Sequence, residues 1–193
     1  MSAHRRGLPS NHESIGGAIV AALRPKNIVF RSSHLRDLNE HAIELATRLR
    51  IQVTARQFAG GGCAHHGTRA IECPPVTNES SYAVFLHEVG HLESPQGDSR
   101  QYRHSVSDVA GRPGLIAIGG ECGAWRWAMR AAKMWTREMH GAMSDAMRFY
   151  ASYADADEKD EIVSLLSDSA IRIADKPITF AQLDEQIAAV RGR

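Results

Sequence analysis

The sequence predicts an α+β fold in which a small sheet sits among helices. Three observations carry this. Residues 33–50 repeat apolar side chains at helical spacing, residues 51–58 alternate instead, and from about residue 77 onward helical patterns return and fill most of the chain.

Taken in order, residues 1–25 open with His4, Arg5 and Arg6 and close on an apolar run from Ile15 to Leu23. Ser10 to Ser14 interrupts the charged-to-apolar order of a secretion signal, and no small-x-small cleavage site precedes Arg24-Pro25. A partly flexible leader with a short helix is expected there. Leu35, Leu38, Ala42, Leu45, Ala46 and Leu49 then form the stripe of an amphipathic helix, with Ser33 as its expected N-cap. Ile51, Val53, Ala55 and Gln57 alternate with polar or basic neighbours, a strand pattern that Gly60-Gly61-Gly62 breaks. Residues 68–73 are a second strand candidate, closed by Pro74-Pro75. Thr77 or Asn78 caps a helix with Glu79 in its positive first turn, running to about Glu93 and stopping before Ser94-Pro95. Gly, Ser and Asp dominate 95–120, with one short strand expected at 115–118. Glu121 opens a single long helix to about Tyr150, through Ala124, Trp125, Ala128, Ala132, Trp135, Met139, Ala142, Met143 and Ala146. Two more helices are expected at 155–168 and 179–190. The domain reading is a leader at 1–32, a folded domain at 33–150 and a C-terminal helical extension at 151–193.

Composition narrows the classes. At 193 residues, 43% hydrophobic and 23% charged, the chain can bury one core. Lys+Arg 23 against Asp+Glu 22 leaves a net charge of +1, so neither nucleic acid nor an anionic membrane is expected as a partner. No apolar run approaches the roughly 20 residues that span a bilayer. Cys63, Cys73 and Cys122 make no C-x-x-C pair, which fits reduced thiols in the cytoplasm. Ten histidines raise the chance of incidental metal-like patterns.

The sharpest motif is His87-Glu88-Val89-Gly90-His91, an H-E-x-x-H sequence. Residues four apart on a helix turn through about 400°, so His87 and His91 share a face and can grip one zinc ion while Glu88 reaches a water on it. Phe85, Val89 and Leu92 form the stripe expected to face the sheet, with the histidines off it. Gly90 would let the helix approach a neighbouring strand closely. A catalytic zinc site needs a third protein ligand. Asp98, His104, Asp108, Glu121 and Cys122 are the candidates, since a third histidine at the H-E-x-x-H-x-x-G-x-x-H position would fall on Gly97. Glu121 is preferred because it shares a face with Ala124, Trp125 and Ala128, and a buried carboxylate is costly unless paired or bound to a cation. The competing reading makes it an ordinary helix-start carboxylate. Cys63-Ala64-His65-His66 could be a second metal cluster but is expected to be a loop with incidental histidines. Cys122 points about 100° away from Glu121 and is expected to be buried. Trp125, Trp127 and Trp135 are expected in the core, and 155–161 as an exposed helix start rather than a calcium loop.

His87-Glu-Val-Gly-His91 followed by Glu121-x-x-Ala124-Trp125-x-x-Ala128 resembles the small Glu-zincin metallopeptidases of the ImmA/IrrE type, a family common in phages and mobile elements. The resemblance covers about residues 35–130. It implies a minimal zincin-like core, in which a helix and a small sheet precede the motif helix and a second helix supplies the glutamate. It further implies one Zn2+ per chain on His87, His91 and Glu121, Glu88 as general base, and a protein or peptide substrate. Tyr102 and His104, between the two helices, are candidate oxyanion donors by position. The chain departs from the family at Gly123, where a further acidic residue is frequent, and at the bulky Trp125 and Trp127. No helix-turn-helix or sensor domain is seen. The alternative expectation is a non-catalytic zincin-like module in which the metal only staples two helices.

Overall fold

The computed structural model of the protein describes residues 11–24, 29–56, 61–94, 104–107 and 113–192, with the backbone course alone at 11–16, 104–107 and 113–116. It is an α+β arrangement. The described elements begin with α1 (Asn11–Leu23) and α2 (Ser33–Arg48), followed by β1 (Gln52–Ala55), β2 (Cys63–His65) and β3 (Ala70–Cys73). Then come α3 (Glu79–Glu93), the hairpin strands β4 (His104–Ser107) and β5 (Pro113–Ile116), α4 (Ile118–Ala131), α5 (Arg137–Ala151), α6 (Ala156–Ile171) and α7 (Phe180–Arg191).

Helix starts follow local side-chain chemistry. Ser32, one residue ahead of the expected cap, accepts from the Leu35 N–H and starts α2. Asn78, Asp155 and Thr179 each form a reciprocal capping box, with Ser81, Glu158 and Gln182 respectively. Each such cap is worth about 1 kcal/mol, because it satisfies amide groups that the first helical turn leaves unpaired.

The sheet has strand order β1-β3-β2. β1 runs parallel to β3, while β2 pairs antiparallel with β3, in the register Cys63↔Glu72 and His65↔Ala70. β2 stands where a loop with incidental histidines was expected. The first strand is shorter than the alternation at 51–58 suggested, and residues 57–60 lie outside the described residues. Val53, Ile71 and Cys73 turn inward. Ile19, Ala22 and Leu23 of α1 belong to the same buried core, although the sequence reading assigned them to a leader. Asn39 of α2, wholly buried, donates its amide to the carbonyls of Leu23 (2.8 Å) and Val76 (3.1 Å) and accepts from Arg24 Nε (2.9 Å). That one side chain ties the end of α1 to the segment entering α3.

Two expectations need correction. The strand near 115–118 is β5, ending at Ile116; Ile118 is already helical, and Glu121 is the fourth residue of α4. The long helix expected from 121 to 150 is two helices. Ala132 is extended (φ −62°, ψ 139°), Trp135 pairs in a parallel bridge with Ile173, and Thr136 restarts the helix by accepting from the Met139 N–H at 3.3 Å. Thr136 also donates to Glu79 Oε2 (2.7 Å) at the first turn of α3, which fixes the angle of α5 against that helix.

The motif helix is buried on nearly every side: Tyr82, Ala83, Phe85, Leu86, His87, Glu88, Val89 and Gly90 are all interior. Its close neighbour at Gly90 is α4 rather than a strand. A Cβ on Gly90 would stand 2.4 Å from the Ala124 carbonyl oxygen, so only glycine allows the two helices to cross at this distance. No described helix is long and apolar enough to cross a membrane.

Candidate metal centre

The crossing of α3 and α4 at Gly90 places the motif against the first turn of α4. His87 Nε2 lies 3.1 Å from His91 Nε2 and 3.1 Å from Glu121 Oε2, and His91 Nε2 lies 3.5 Å from the same oxygen. Three ligands on a tetrahedral zinc, each at 2.0–2.2 Å, would have donor atoms about 3.3 Å apart. The observed triangle brackets that spacing.

A hydrogen bond between the two imidazole nitrogens accounts for only one edge of it. Glu121 Oε2 is buried and has no hydrogen bond, despite standing close to both imidazoles. The three donor atoms lie close enough together to share one cation, which would satisfy the buried oxygen. Among the described residues, His87, His91 and Glu121 are the one group of metal-ligand type that meets this test. The residues fit a bound divalent cation.

The protonation states agree. Burial, reinforced by His91, pushes the His87 imidazole down to about 4, so it is neutral and has a lone pair to give. Burial alone would raise the Glu121 carboxyl, but His91 and His87 outweigh it and hold the group well below the usual carboxylate range. The position of Glu121 in the first turn of α4 favours the ionised form too.

Neighbouring side chains hold these donors in place. The Trp125 ring stacks on His87 at 4.2 Å with 23° between planes, while His91 meets His87 edge-on at 4.5 Å. His87 Nδ1 has no hydrogen-bond partner among the described residues, so this stacking is what sets the ring's orientation. Trp125 is therefore both core residue and wall of the site, whereas Trp135 packs edge-on behind it at 6.5 Å and Trp127 is half-buried.

Glu88 occupies the adjoining space. Burial pushes its carboxyl up to about 7 with Glu121 adding to the rise, while His91, Arg56 and the backbone N–H of Gly62 oppose it. A Cβ on Gly62 would lie 2.4 Å from Glu88 Cγ, so the carboxylate occupies room that a side chain at 62 would fill. Tyr150, near the end of α5, is half-buried, and burial, with the charges of Glu121 and Glu88, raises its phenol well above the usual range. Sequence reasoning missed both Gly62 and Tyr150. The triple glycine was visible only as a break, and Tyr150 only as the end of an apolar stripe.

The remaining sequence candidates divide clearly. His65 pairs with Glu72 at 3.4 Å on the exposed side of β2 and takes no part in the group, and Cys63 is a half-buried thiol raised by burial. Cys122 is wholly buried, its thiol raised by burial and by Glu161, and it is not part of the His87, His91 and Glu121 group. Tyr102, Asp98 and Asp108 lie outside the described residues; His104 lies on β4, where only the backbone course is described. Compared with known protein families, curated proteins and solved structures, the chain finds no match.

Proposed function

We propose that this chain is a zinc-dependent metallopeptidase with a minimal zincin-like core, as its resemblance to the ImmA/IrrE-type Glu-zincins implies. His87, His91 and Glu121 would hold one Zn2+ per chain, and Glu88 would serve as general base toward a protein or peptide substrate. The observation that carries this reading is the triangle of donor atoms, its carboxylate oxygen left unsatisfied, with a buried carboxyl of near-neutral pKa beside it. Two imidazoles and one carboxylate are a donor set that suits zinc and leaves a position open in a tetrahedral site.

A bound zinc ion would supply Lewis acidity toward a carbonyl oxygen and lower the pKa of water toward 7. The chain's own residues would do the rest. Glu88 accepts one proton from the attacking water as its oxygen joins the carbonyl carbon. It then delivers that proton to the leaving amine nitrogen as the C–N bond breaks. A carboxyl poised near 7 is matched to both transfers at neutral pH. Trp125 and the low exposure of the site (His87 7%, Glu88 4%, Glu121 8%) keep bulk water from the donors.

That same low exposure favours a second reading, in which the metal merely fastens α3 to α4. One experiment separates the two. Metal analysis of the purified chain should give about one zinc, lost in His87→Ala and in Glu121→Ala. Glu88→Gln should keep the zinc while hydrolysis of a mixed peptide library drops by about 10²- to 10⁴-fold. Zinc content unchanged in both ligand variants would sink the metal reading. Zinc present with no hydrolysis in the wild type would favour the fastener.

A further inference from the structure

We propose that Arg56 is a specificity-determining residue, whose guanidinium takes a carboxylate that the peptide substrate carries beside the scissile bond. The inference rests on the peptidase reading above and deepens it by naming the substrate class. That class is a peptide with an acidic group close to the bond cut, either its C-terminal carboxylate or an Asp or Glu side chain.

The sheet brings the arginine there. Arg56 directly follows β1, and its backbone N–H donates to the Cys73 carbonyl (2.9 Å), carrying the β1–β3 ladder one step past Ala55↔Cys73. β2 begins at the same end of β3, where Cys63 lies opposite Glu72. Gly62, just ahead of β2, abuts Glu88: the three atoms nearest a Cβ built on it are Glu88 Cγ (2.4 Å), Cδ (2.6 Å) and Oε1 (2.6 Å). Arg56 Nη1 donates to the carbonyl of that same glycine at 3.4 Å. Gly62 therefore touches both the guanidinium and the proposed base. The charge of Arg56 is felt at Glu88 too, where it opposes the rise of the carboxyl.

The chemistry of the side chain names the ligand. A guanidinium carries a rigid fork of N–H donors and keeps its charge at any working pH. The bond to Gly62 uses one of those donors. Arg56 is half-buried, yet it joins no ion pair with a carboxylate among the described residues. A carboxylate suits what is left, because it accepts two parallel N–H bonds and brings the opposite charge. The atoms nearest Gly62 belong to Glu88 and not to His87, His91 or Glu121, so Arg56 adjoins the base rather than the donor triangle. That position suits a charge flanking the scissile bond rather than the scissile carbonyl itself. Hydrogen bonds to a charged group of this kind discriminate by about 10- to 100-fold between a ligand that carries the group and one that lacks it.

The test uses the full zinc-loaded chain and a library of labelled peptides made in matched pairs, free acid against C-terminal amide, and Asp or Glu against Asn or Gln. Cleavage by the wild type, read by mass spectrometry, should favour the acidic member of a pair by about 10- to 100-fold in kcat/KM. Loss of the preference on amidation marks a C-terminal carboxylate as the ligand, and loss on the change to Asn or Gln marks a side chain. Arg56→Gln should remove the preference by raising KM for the acidic peptides. Arg56→Lys, which keeps the charge without the fork, should keep part of it, and decides the matter if the glutamine variant fails to fold. If Arg56 only holds Gly62 in place, Arg56→Gln will slow acidic and neutral peptides equally, which overturns the assignment. A wild type that cleaves both members of each pair alike overturns it too. Binding of the same peptides to Glu88→Gln, followed by fluorescence polarisation, separates this failure from that of the peptidase reading. No cleavage by the wild type would sink that reading, whereas equal binding of acidic and neutral peptides would sink the assignment alone.

Discussion

Gly62 and Glu88 compete for one volume. A Cβ at position 62 would stand 2.4 Å from Glu88 Cγ and 2.6 Å from its Oε1. The missing side chain is what leaves room for the proposed base. Gly62→Ala should therefore displace Glu88 while leaving His87, His91 and Glu121 alone. Misplacing a reacting group by about an ångström costs on the order of 100-fold in rate. We expect kcat to fall by that order with zinc content unchanged; joint loss of metal and activity would mean that the sheet edge had collapsed instead. His87, Glu88 and His91 were legible in the sequence because their geometry is local to one helix. Glu121 was legible because a carboxylate stood on an apolar stripe. Gly62 was not, since its partner lies far along the chain and nothing in its own neighbourhood marks it.

Between elements, one polar network joins the start of α5 to α6 and α7. Trp135 Nε1 donates to Ser169 Oγ (2.7 Å), so the serine's own proton is free for His140 Nδ1 (2.8 Å). His140 Nε2–H is then left to donate to Gln186 Oε1 (3.0 Å). The network works only with a neutral imidazole, and burial lowers the His140 pKa, aided by Arg137 and opposed by the Gln186 bond. In the unfolded chain this histidine takes its proton near pH 6.5, whereas the folded protein resists it until a lower pH. Its contribution is thus fully present above about 6.5 and is lost as pH falls from there toward the folded pKa. Urea unfolding should give a lower midpoint at pH 5.5 than at pH 7.5, and His140→Gln should shrink that difference. His41, lowered by burial as well, leaves part of the slope in place. An identical pH difference in the variant would count against this account. The helices of this region were readable from their caps at Asp155 and Thr179. The break at 132–136 was not, because the apolar stripe passes unbroken through Ala132 and Trp135 to Met139. What turns the backbone is the bridge to Ile173, a partner that periodicity cannot see. β2 escaped for another reason: three residues are too few for alternation to show.

For the molecule as a whole, the site is a cost to the fold that a bound cation would offset. Glu88 and Glu121 bring two carboxyl groups into an interior whose other donors are neutral or weakly basic imidazoles, with Arg56 the guanidinium that acts on Glu88. Burying such groups without full pairing is destabilising, and truncating either partner of a buried pair does not recover the cost. A ligand that binds only the folded state stabilises it by RT ln(1 + [L]/Kd), about 2.7 kcal/mol at a hundredfold excess over Kd. For a chain of 193 residues, 1 kcal/mol shifts Tm by about 2–4 °C. Zinc at that excess should therefore raise Tm by roughly 5–10 °C. Chelator should reverse the shift, and Glu121→Ala should abolish it while remaining folded. Magnesium should do nothing at equal concentration, because a hard ion that prefers oxygen gains little from two imidazole nitrogens. A Tm insensitive to zinc in the wild type would mean that the triangle of donors is closed to metal. Equal shifts with zinc in the wild type and in Glu121→Ala would place the binding elsewhere on this histidine-rich chain.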